Sequence, residues 1–134
     1  MYRQWWPALA HATERVLAEH RPGILDLGAG HSHYEDDHLF ARVRRVLAPC
    51  PNVVLPLPSS DLDRSVCILR ERGLAERGGD WIADGYDFVE HWVKDSCNHD
   101  LATLTVYTEG RTPQETCAEI ERQLQPPSVQ RMGR

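Results

Sequence analysis

Short runs of apolar and β-branched residues alternate with longer segments of helical periodicity, and this alternation constrains the fold more than any other feature. Residues 23–28, 52–57 and 103–108 predict three buried strands. Helical patterns occur at residues 7–20, 35–47, 59–72, 86–93 and 112–124. Strands that alternate with helices in this way predict an α/β fold, with a small parallel sheet of about three strands flanked by helices.

Local signals refine several element ends. Thr112, Pro113 and Glu115 form a strong helix start, with a cap, a first-turn proline and a capping-box glutamate. Pro56 is awkward inside a sheet, so it predicts a strand end or a bulge. Glycines are frequent in residues 73–85, which predicts a mobile loop.

The composition fits one domain. The chain has 134 residues, of which 41% are hydrophobic, and we expect a single domain over residues 1–125 with a flexible tail at 126–134. A net charge of -5 argues against nucleic-acid binding. No apolar run approaches the roughly 20 residues that cross a bilayer, and the N-terminus has no signal-peptide core. We therefore expect a cytoplasmic protein without a membrane partner.

The cysteines carry little functional signal. All four are scattered, with no CxxC pair. In a cytoplasmic chain they are most simply reduced and packed, so the sequence predicts neither a disulfide nor a zinc site. They are Cys50, Cys67, Cys97 and Cys117.

Residues 24–30, with the sequence ILDLGAG, resemble the first motif of Rossmann-type methyltransferases, in which a strand enters a glycine-rich turn beneath S-adenosylmethionine. Three departures weaken this resemblance. Ser32 stands where that family usually has another glycine, the next strand does not end in an acidic residue, and too few strands follow. An S-adenosylmethionine-binding protein remains a minor alternative.

A resemblance that covers more of the chain is to shikimate-kinase-like P-loop kinases, over residues 23–124. The matching parts are a glycine-rich turn that faces the acceptor substrate, a strand with its following helix, a lid, and the last strand and helix. In this chain they fall at residues 28–30, 53–61, 73–85, 100–108 and 112–116. The chain thus resembles the C-terminal part of such a kinase.

The resemblance implies a ligand-binding loop over residues 28–34. It implies substrate-binding roles for residues of this loop and for arginines near the lid, which grip phosphate in that family. These residues are Gly28, Ala29, Gly30, Tyr34, Arg70, Arg72 and Arg77.

The phosphate-binding loop of that family has no counterpart in this sequence. A P-loop needs GxxxxGK[ST], because backbone N–H groups and a lysine hold the nucleotide phosphates. Lys94 is the only lysine, and no glycine adjoins it. We therefore expect no nucleotide cofactor. The family's P-loop strand lies between the counterparts of residues 24–28 and 53–57, so we expect a rearranged strand order, a homo-oligomer or a partner chain to close the gap.

Histidines and acids cluster in the same loop. His31 or His33 is a plausible general acid or base, because it follows the C-terminal end of a predicted parallel strand and histidine titrates near neutrality. With His38 and the acids at 35–37, a metal site is an alternative. A polar turn before an acidic helix start explains all six residues without a metal, so we predict none.

Four functional hypotheses follow. The first is a degenerate shikimate-kinase-like protein that binds a small molecule or a partner at residues 28–34. The second is a nucleotide-independent enzyme that uses His31 and His33. The third is half of a small-molecule kinase that another chain completes, and the fourth is S-adenosylmethionine binding.

Overall fold

The fold alternates helices with short strands. The computed structural model describes residues 2–19 and 23–124, so the expected tail at 126–134 lies outside the described residues. In chain order the elements are α1 (Trp6–Glu19), α2 (Asp37–Leu47), β1 (Val54–Leu57), α3 (Leu62–Arg77), β2 (Ile82–Ala83), β3 (Tyr86–Asp87), α4 (Phe88–Lys94), α5 (Ser96–Leu101), β4 (Leu104–Tyr107) and α6 (Pro113–Gln123). Single 3-10 turns lie at Tyr2–Trp5 and Ala29–His31.

The described residues form an α/β structure with a two-stranded parallel sheet flanked by helices. Strand β1 pairs with β4 in a register that joins Val54 to Leu104 and Leu57 to Tyr107. A separate antiparallel hairpin pairs β2 with β3. The α/β class is confirmed, and the expectation of three parallel strands is corrected to two.

The interpretation of residues 24–28 as a buried strand is wrong. This segment has no strand pairing in the described structure, and Ile24 is fully exposed. Only Leu27 packs into a core, against the cluster that includes α1 and α2. An apolar run becomes a strand only where a neighbour satisfies its backbone hydrogen bonds. Because this strand does not form, the expected gap between it and β1 does not arise.

Pro56 lies inside β1 rather than at a strand end or a bulge. The carbonyls of Val53 and Leu57 accept hydrogen bonds from the β4 side, for example from Thr108 N–H at 2.9 Å. Alternate residues of a strand direct their backbone groups to opposite edges. The nitrogen of Pro56 therefore faces the outer edge of β1, where its missing N–H costs no hydrogen bond to β4.

The core has two parts. The first lies mainly between α1 and α2, where Val43 and Leu47 follow each other at helical spacing and Val43 is fully buried. The Arg42 guanidinium also binds both carboxylate oxygens of Glu14 across these helices, at 2.9 and 2.7 Å, and lowers the pKa of Glu14. The buried members of this cluster are Ala10, Leu17, Tyr34, Val43, Leu47 and Leu101.

The second part lies between β1, α3 and α4. Its members come from different elements at strand and helix spacing, so the sheet and these two helices share one apolar interior. They are Leu57, Val66, Val89 and Val93.

The segment expected to be a mobile loop, residues 73–85, is mostly ordered structure. Helix α3 continues to Arg77 and ends at Gly78, whose φ of 68° is left-handed. Asp84 and Gly85, with φ of 52° and 76°, then form the tight turn between β2 and β3. Positive φ at both central residues defines a type I′ hairpin turn.

Carboxylates begin most of the helices. Asp36 caps α2, Asp61 caps α3 and Asp87 caps α4. Helix α4 consequently begins at Phe88, two residues later than predicted. The capping box of α6 is confirmed.

None of the described helices is both long and apolar enough to span a membrane.

We predict that Val43→Ala lowers the free energy of unfolding by about 2–3 kcal/mol, because it removes two carbon atoms from a site that cannot collapse fully. Urea denaturation followed by circular dichroism measures the change. Leu74→Ala in α3 is the matched control, since that side chain is 53% exposed and its loss should cost less than about 0.5 kcal/mol. Equal losses in the two variants would contradict the described core.

Candidate functional site

A buried histidine–carboxylate pair joins the loop before α2 to the junction of α4 and α5. Nδ1 of His33 lies 2.8 Å from Oδ2 of Asp95, and each side chain is only 11% exposed. The other Asp95 oxygen accepts from the backbone N–H of Cys97 at 3.2 Å and so caps α5. Because a carboxylate only accepts, the proton of the neutral imidazole lies on Nδ1. Nε2 is then left as an acceptor.

Tyr86 completes a chain of three polar groups. Its hydroxyl lies 3.4 Å from Nε2 of His33, and the ring stacks on His91 with centroids 3.9 Å apart. Burial raises the pKa of Tyr86, and the nearby carboxylates of Glu35 and Asp95 add to this effect. The phenol is therefore a neutral donor to His33, and its oxygen retains a lone pair for a further partner.

A cleft of about 370 Å³ lies beside this chain. Trp6 connects the two, because its ring lines the cleft and meets His33 edge-on at a centroid distance of 6.0 Å. Arg3 forms an ion pair with Glu35 and lies over the Trp6 ring at 5.9 Å. We call this region the His33 site, made up of Arg3, Trp6, His33, Glu35, Tyr86 and Asp95.

The glycine-rich turn packs against α1. The carbonyl of Gly28 accepts from the His31 N–H at 2.8 Å, and φ of Gly28 is -58°, which any residue adopts. A Cβ on Gly30 would lie 3.6 Å from Leu9 in ordinary van der Waals contact. Ala29 contributes its backbone to the same turn. A Cβ on Gly28 would lie 3.2 Å from Nδ1 of His31, so this ring would have to shift slightly. Backbone strain therefore requires a glycine at neither position, and packing requires none at position 30.

Tyr34 is a core residue that supports the loop. Its side chain is 3% exposed, and its hydroxyl donates to the carbonyl of His31 at 3.0 Å. Burial raises the pKa of Tyr34. The predicted ligand contact at Tyr34 is thus replaced in this conformation by a bond that holds the loop backbone.

His31 and His33 have separate surroundings. The His31 ring lies 3.3 Å from the Gly28 carbonyl and lines a smaller cleft of about 110 Å³ with Asp26 and Leu27. The His33 ring instead contacts Asp95 and the other groups of the His33 site. Within the described part of the chain, no group of three or more histidines, cysteines or carboxylates is placed to hold a metal ion.

The three arginines expected near a lid contact other partners. Arg70 forms an ion pair with Asp87, which directly follows Tyr86, and Arg77 lies over the Trp81 ring at 5.2 Å. Arg72 is exposed on α3. The structure therefore brings none of them to the described lining of the two clefts.

Sequence reasoning missed Tyr86 and Asp95. A signal for each was present: the Asp84-Gly85 pair marks a hairpin that delivers the tyrosine, and Asp95 stands one residue before the helix it caps. What the sequence did not show was that these two residues meet His33, which precedes Asp95 by 62 positions.

Cys97 borders the site but is not a reactive nucleophile. Its buried thiol donates to the Tyr34 carbonyl at 3.4 Å. Burial raises the pKa of the thiol, so little thiolate forms near neutral pH.

Comparisons of the chain with protein-family models, with curated proteins and with solved structures found no match.

We predict that Asp95→Ser lowers the free energy of unfolding by about 1.5–3 kcal/mol, the range for a hydrogen bond to a charged group. Serine still caps α5 but is too short to reach His33. In the His33→Gln background the same change should cost much less, and a double-mutant cycle by urea denaturation measures the coupling. Asp100→Ser, on the exposed face of α5, is the control. An equal cost of Asp95→Ser in both backgrounds would contradict the pair.

We also predict that two of the four thiols react rapidly with an aromatic disulfide reagent in the folded protein. Cys67 and Cys117 are exposed, whereas Cys50 is partly covered and Cys97 is buried. Thiolate release followed by absorbance, with peptide mapping of the labelled residues, measures the order. Rapid labelling of Cys97 before unfolding would refute the described packing.

Proposed function

We propose that this chain is a shikimate-kinase-like protein that binds a small polar molecule at the His33 site and does so without a nucleotide. The observation that carries the proposal is the partly buried Asp95–His33–Tyr86 chain, which Trp6 joins to an open cleft. Linked polar groups that are largely withdrawn from water must each be hydrogen-bonded, and such a group near a cleft is typical of a ligand site.

The size and lining of the cleft support small-molecule binding. A volume of about 370 Å³ falls within the ~300–1,000 Å³ of small-molecule sites. Trp6 and Leu39 provide apolar surface, while Arg3, Glu35 and Asp36 provide charge. Part of this lining follows directly after residues 28–34, the loop that the family resemblance assigns to the acceptor substrate.

Two observations support a function without nucleotide chemistry, one from the sequence and one from the position of the single lysine. The GxxxxGK[ST] motif does not occur, and Lys94 forms ion pairs with Asp63 at 2.7 Å and Glu90 at 2.8 Å. Both carboxylates raise the pKa of Lys94. Its ammonium is therefore engaged between α3 and α4 and does not serve as a phosphate-binding lysine.

A nucleotide-independent enzyme is the second candidate, and the direction of the hydrogen bonds favours it. A ligand hydroxyl or ammonium can give a proton to the Tyr86 oxygen as the Tyr86 hydroxyl proton passes to Nε2 of His33. The other proton stays on Nδ1, where it is hydrogen-bonded to the Asp95 carboxylate, and that carboxylate stabilises the resulting imidazolium. His33 would then be the general base, Tyr86 the group that touches the ligand, and Asp95 a positioning residue.

The structure offers less support for the other two hypotheses. A kinase half supplied by another chain would place its strand on the outer edge of β1, where Pro56 has no N–H to donate. S-adenosylmethionine binding would require a strand at residues 24–28, and none forms there. Whether the chain forms a homo-oligomer remains a prediction.

Two measurements test the proposal. The first is the melting temperature of the protein with each ligand added, and the second is NMR of the protein labelled with ¹⁵N at histidine. We expect Mg-ATP, ADP and S-adenosylmethionine to leave the melting temperature unchanged. A library of small polar fragments should contain members that shift the His33 ring signals. His33→Gln should abolish binding of these fragments, whereas His38→Asn, at an exposed position in α2, should preserve it.

Two results would overturn the proposal. A nucleotide present at 100 times its dissociation constant stabilises a protein by about 2.7 kcal/mol, so a clear rise in melting temperature with ATP or ADP would reveal a phosphate site. Fragments that bind equally well to the wild type and to His33→Gln would place the ligand elsewhere.

A further inference from the structure

We propose that the cleft of the His33 site recognises a cationic ligand group, a guanidinium or a primary ammonium, at the place that Arg3 occupies in this structure. This inference rests on the proposed function, because it names the class of ligand for the same site. In the ligand-free protein the Arg3 guanidinium occupies the position of the ligand cation, and the ligand displaces it on binding.

The position of the Arg3 guanidinium carries the inference. It forms an ion pair with Glu35 and lies over the face of Trp6, with 5.9 Å between Cζ and the ring centroid. A carboxylate and an aromatic face together are the two features that bind guanidinium and ammonium groups in proteins. The protein thus already holds a cation in the cleft, and that cation belongs to its own chain.

Arg3 is held weakly enough to be displaced. Its side chain is 77% exposed, and that of Glu35 is 38% exposed. Exposed ion pairs contribute only about 0–1 kcal/mol, and the arginine loses side-chain freedom when it forms one. A ligand that presents the same charge from a better oriented position can therefore replace it.

The charges around the cleft favour a cation over an anion. Glu35 and Asp36 both line it, and Asp95 binds the His33 ring that Trp6 contacts. Arg3 is the single basic residue in the described lining. Once Arg3 moves away, the lining offers two carboxylates and an indole face, which repels an anionic ligand and attracts a cationic one.

Trp6 links this cation position to His33. The same indole ring that supports Arg3 meets the His33 ring edge-on at 6.0 Å. A ligand cation on Trp6 therefore lies one side chain away from the Asp95–His33–Tyr86 chain. The cation would fix the ligand at Trp6, next to the His33 ring.

The test uses methylguanidinium and methylammonium as probes, with acetate and N-methylacetamide as anionic and neutral probes of similar size. NMR titration of the Trp6 indole N–H, assigned with Trp6→Phe, measures each dissociation constant. We expect both cations to bind and acetate to fail. Arg3→Ala should tighten cation binding about 2–5-fold, because it removes a competitor worth up to about 1 kcal/mol. Glu35→Gln should weaken it about 2–5-fold, the factor that corresponds to an exposed ion pair.

A second ion pair provides a matched control. Arg64 and Glu109 form an exposed pair of similar accessibility, 60% and 37%, between α3 and the segment after β4. Arg64→Ala and Glu109→Gln should leave the dissociation constants unchanged. Circular dichroism of the four variants serves as the folding control. We expect all four to be folded, because the substituted side chains are exposed.

The outcomes separate this inference from the proposed function. Weaker cation binding in Arg3→Ala, or acetate binding as tight as that of the cations, overturns the cationic preference. If neutral polar fragments shift the His33 signals while both cations leave Trp6 unaffected, the inference fails and the proposed function stands. If neither the cations nor the fragments bind, both fail.

Discussion

The parallel pairing of β1 with β4 is the constraint on which the rest of the structure depends. Only four residue pairs make up this sheet, and parallel strands are stable only when other elements cover their faces. Helices α3 and α4 share a buried cluster with β1, while α6 packs against β4. The connection from β1 to β4 must return to the same end of the sheet, and it contains the hairpin and the α4–α5 junction. The sheet therefore determines where Tyr86 and Asp95 lie.

Asp95 holds the His33 site together, because its carboxylate forms two hydrogen bonds, one to α5 and one to His33. Its first oxygen begins α5, which stabilises the return toward β4, and its second oxygen holds His33 in the loop before α2. The same side chain thus links the cluster around α1 and α2 to the segment that follows α4. A histidine fixed in this way has a defined tautomer and a defined orientation, which are prerequisites for selective binding as well as for proton transfer.

Much of the fold follows from local patterns. The start of α6 at Thr112 and the end of α2 at Leu47 were readable because caps and helical periodicity act within a few residues, whereas α2 begins two residues later than predicted, after its cap Asp36. The prediction of a strand at residues 24–28 was wrong because an apolar run does not indicate whether a neighbouring strand exists to pair with it. At the site, His33 could be proposed from its loop, whereas its partners depend on contacts across more than fifty positions. Such contacts are set by tertiary packing, which periodicity does not encode.

The free energy of opening the hairpin that carries Tyr86 differs from the free energy of unfolding the whole domain. Strands β2 and β3 share two residue pairs, and Ile82 and Trp81 at its start are 47% and 42% exposed. A unit this small and this exposed opens locally at a far lower cost than the whole domain unfolds. The hairpin holds Tyr86 over Nε2 of His33, and neither buried cluster contains a hairpin residue. The hairpin therefore relates exposure of His33 to a local opening of six residues rather than to the stability of the whole fold.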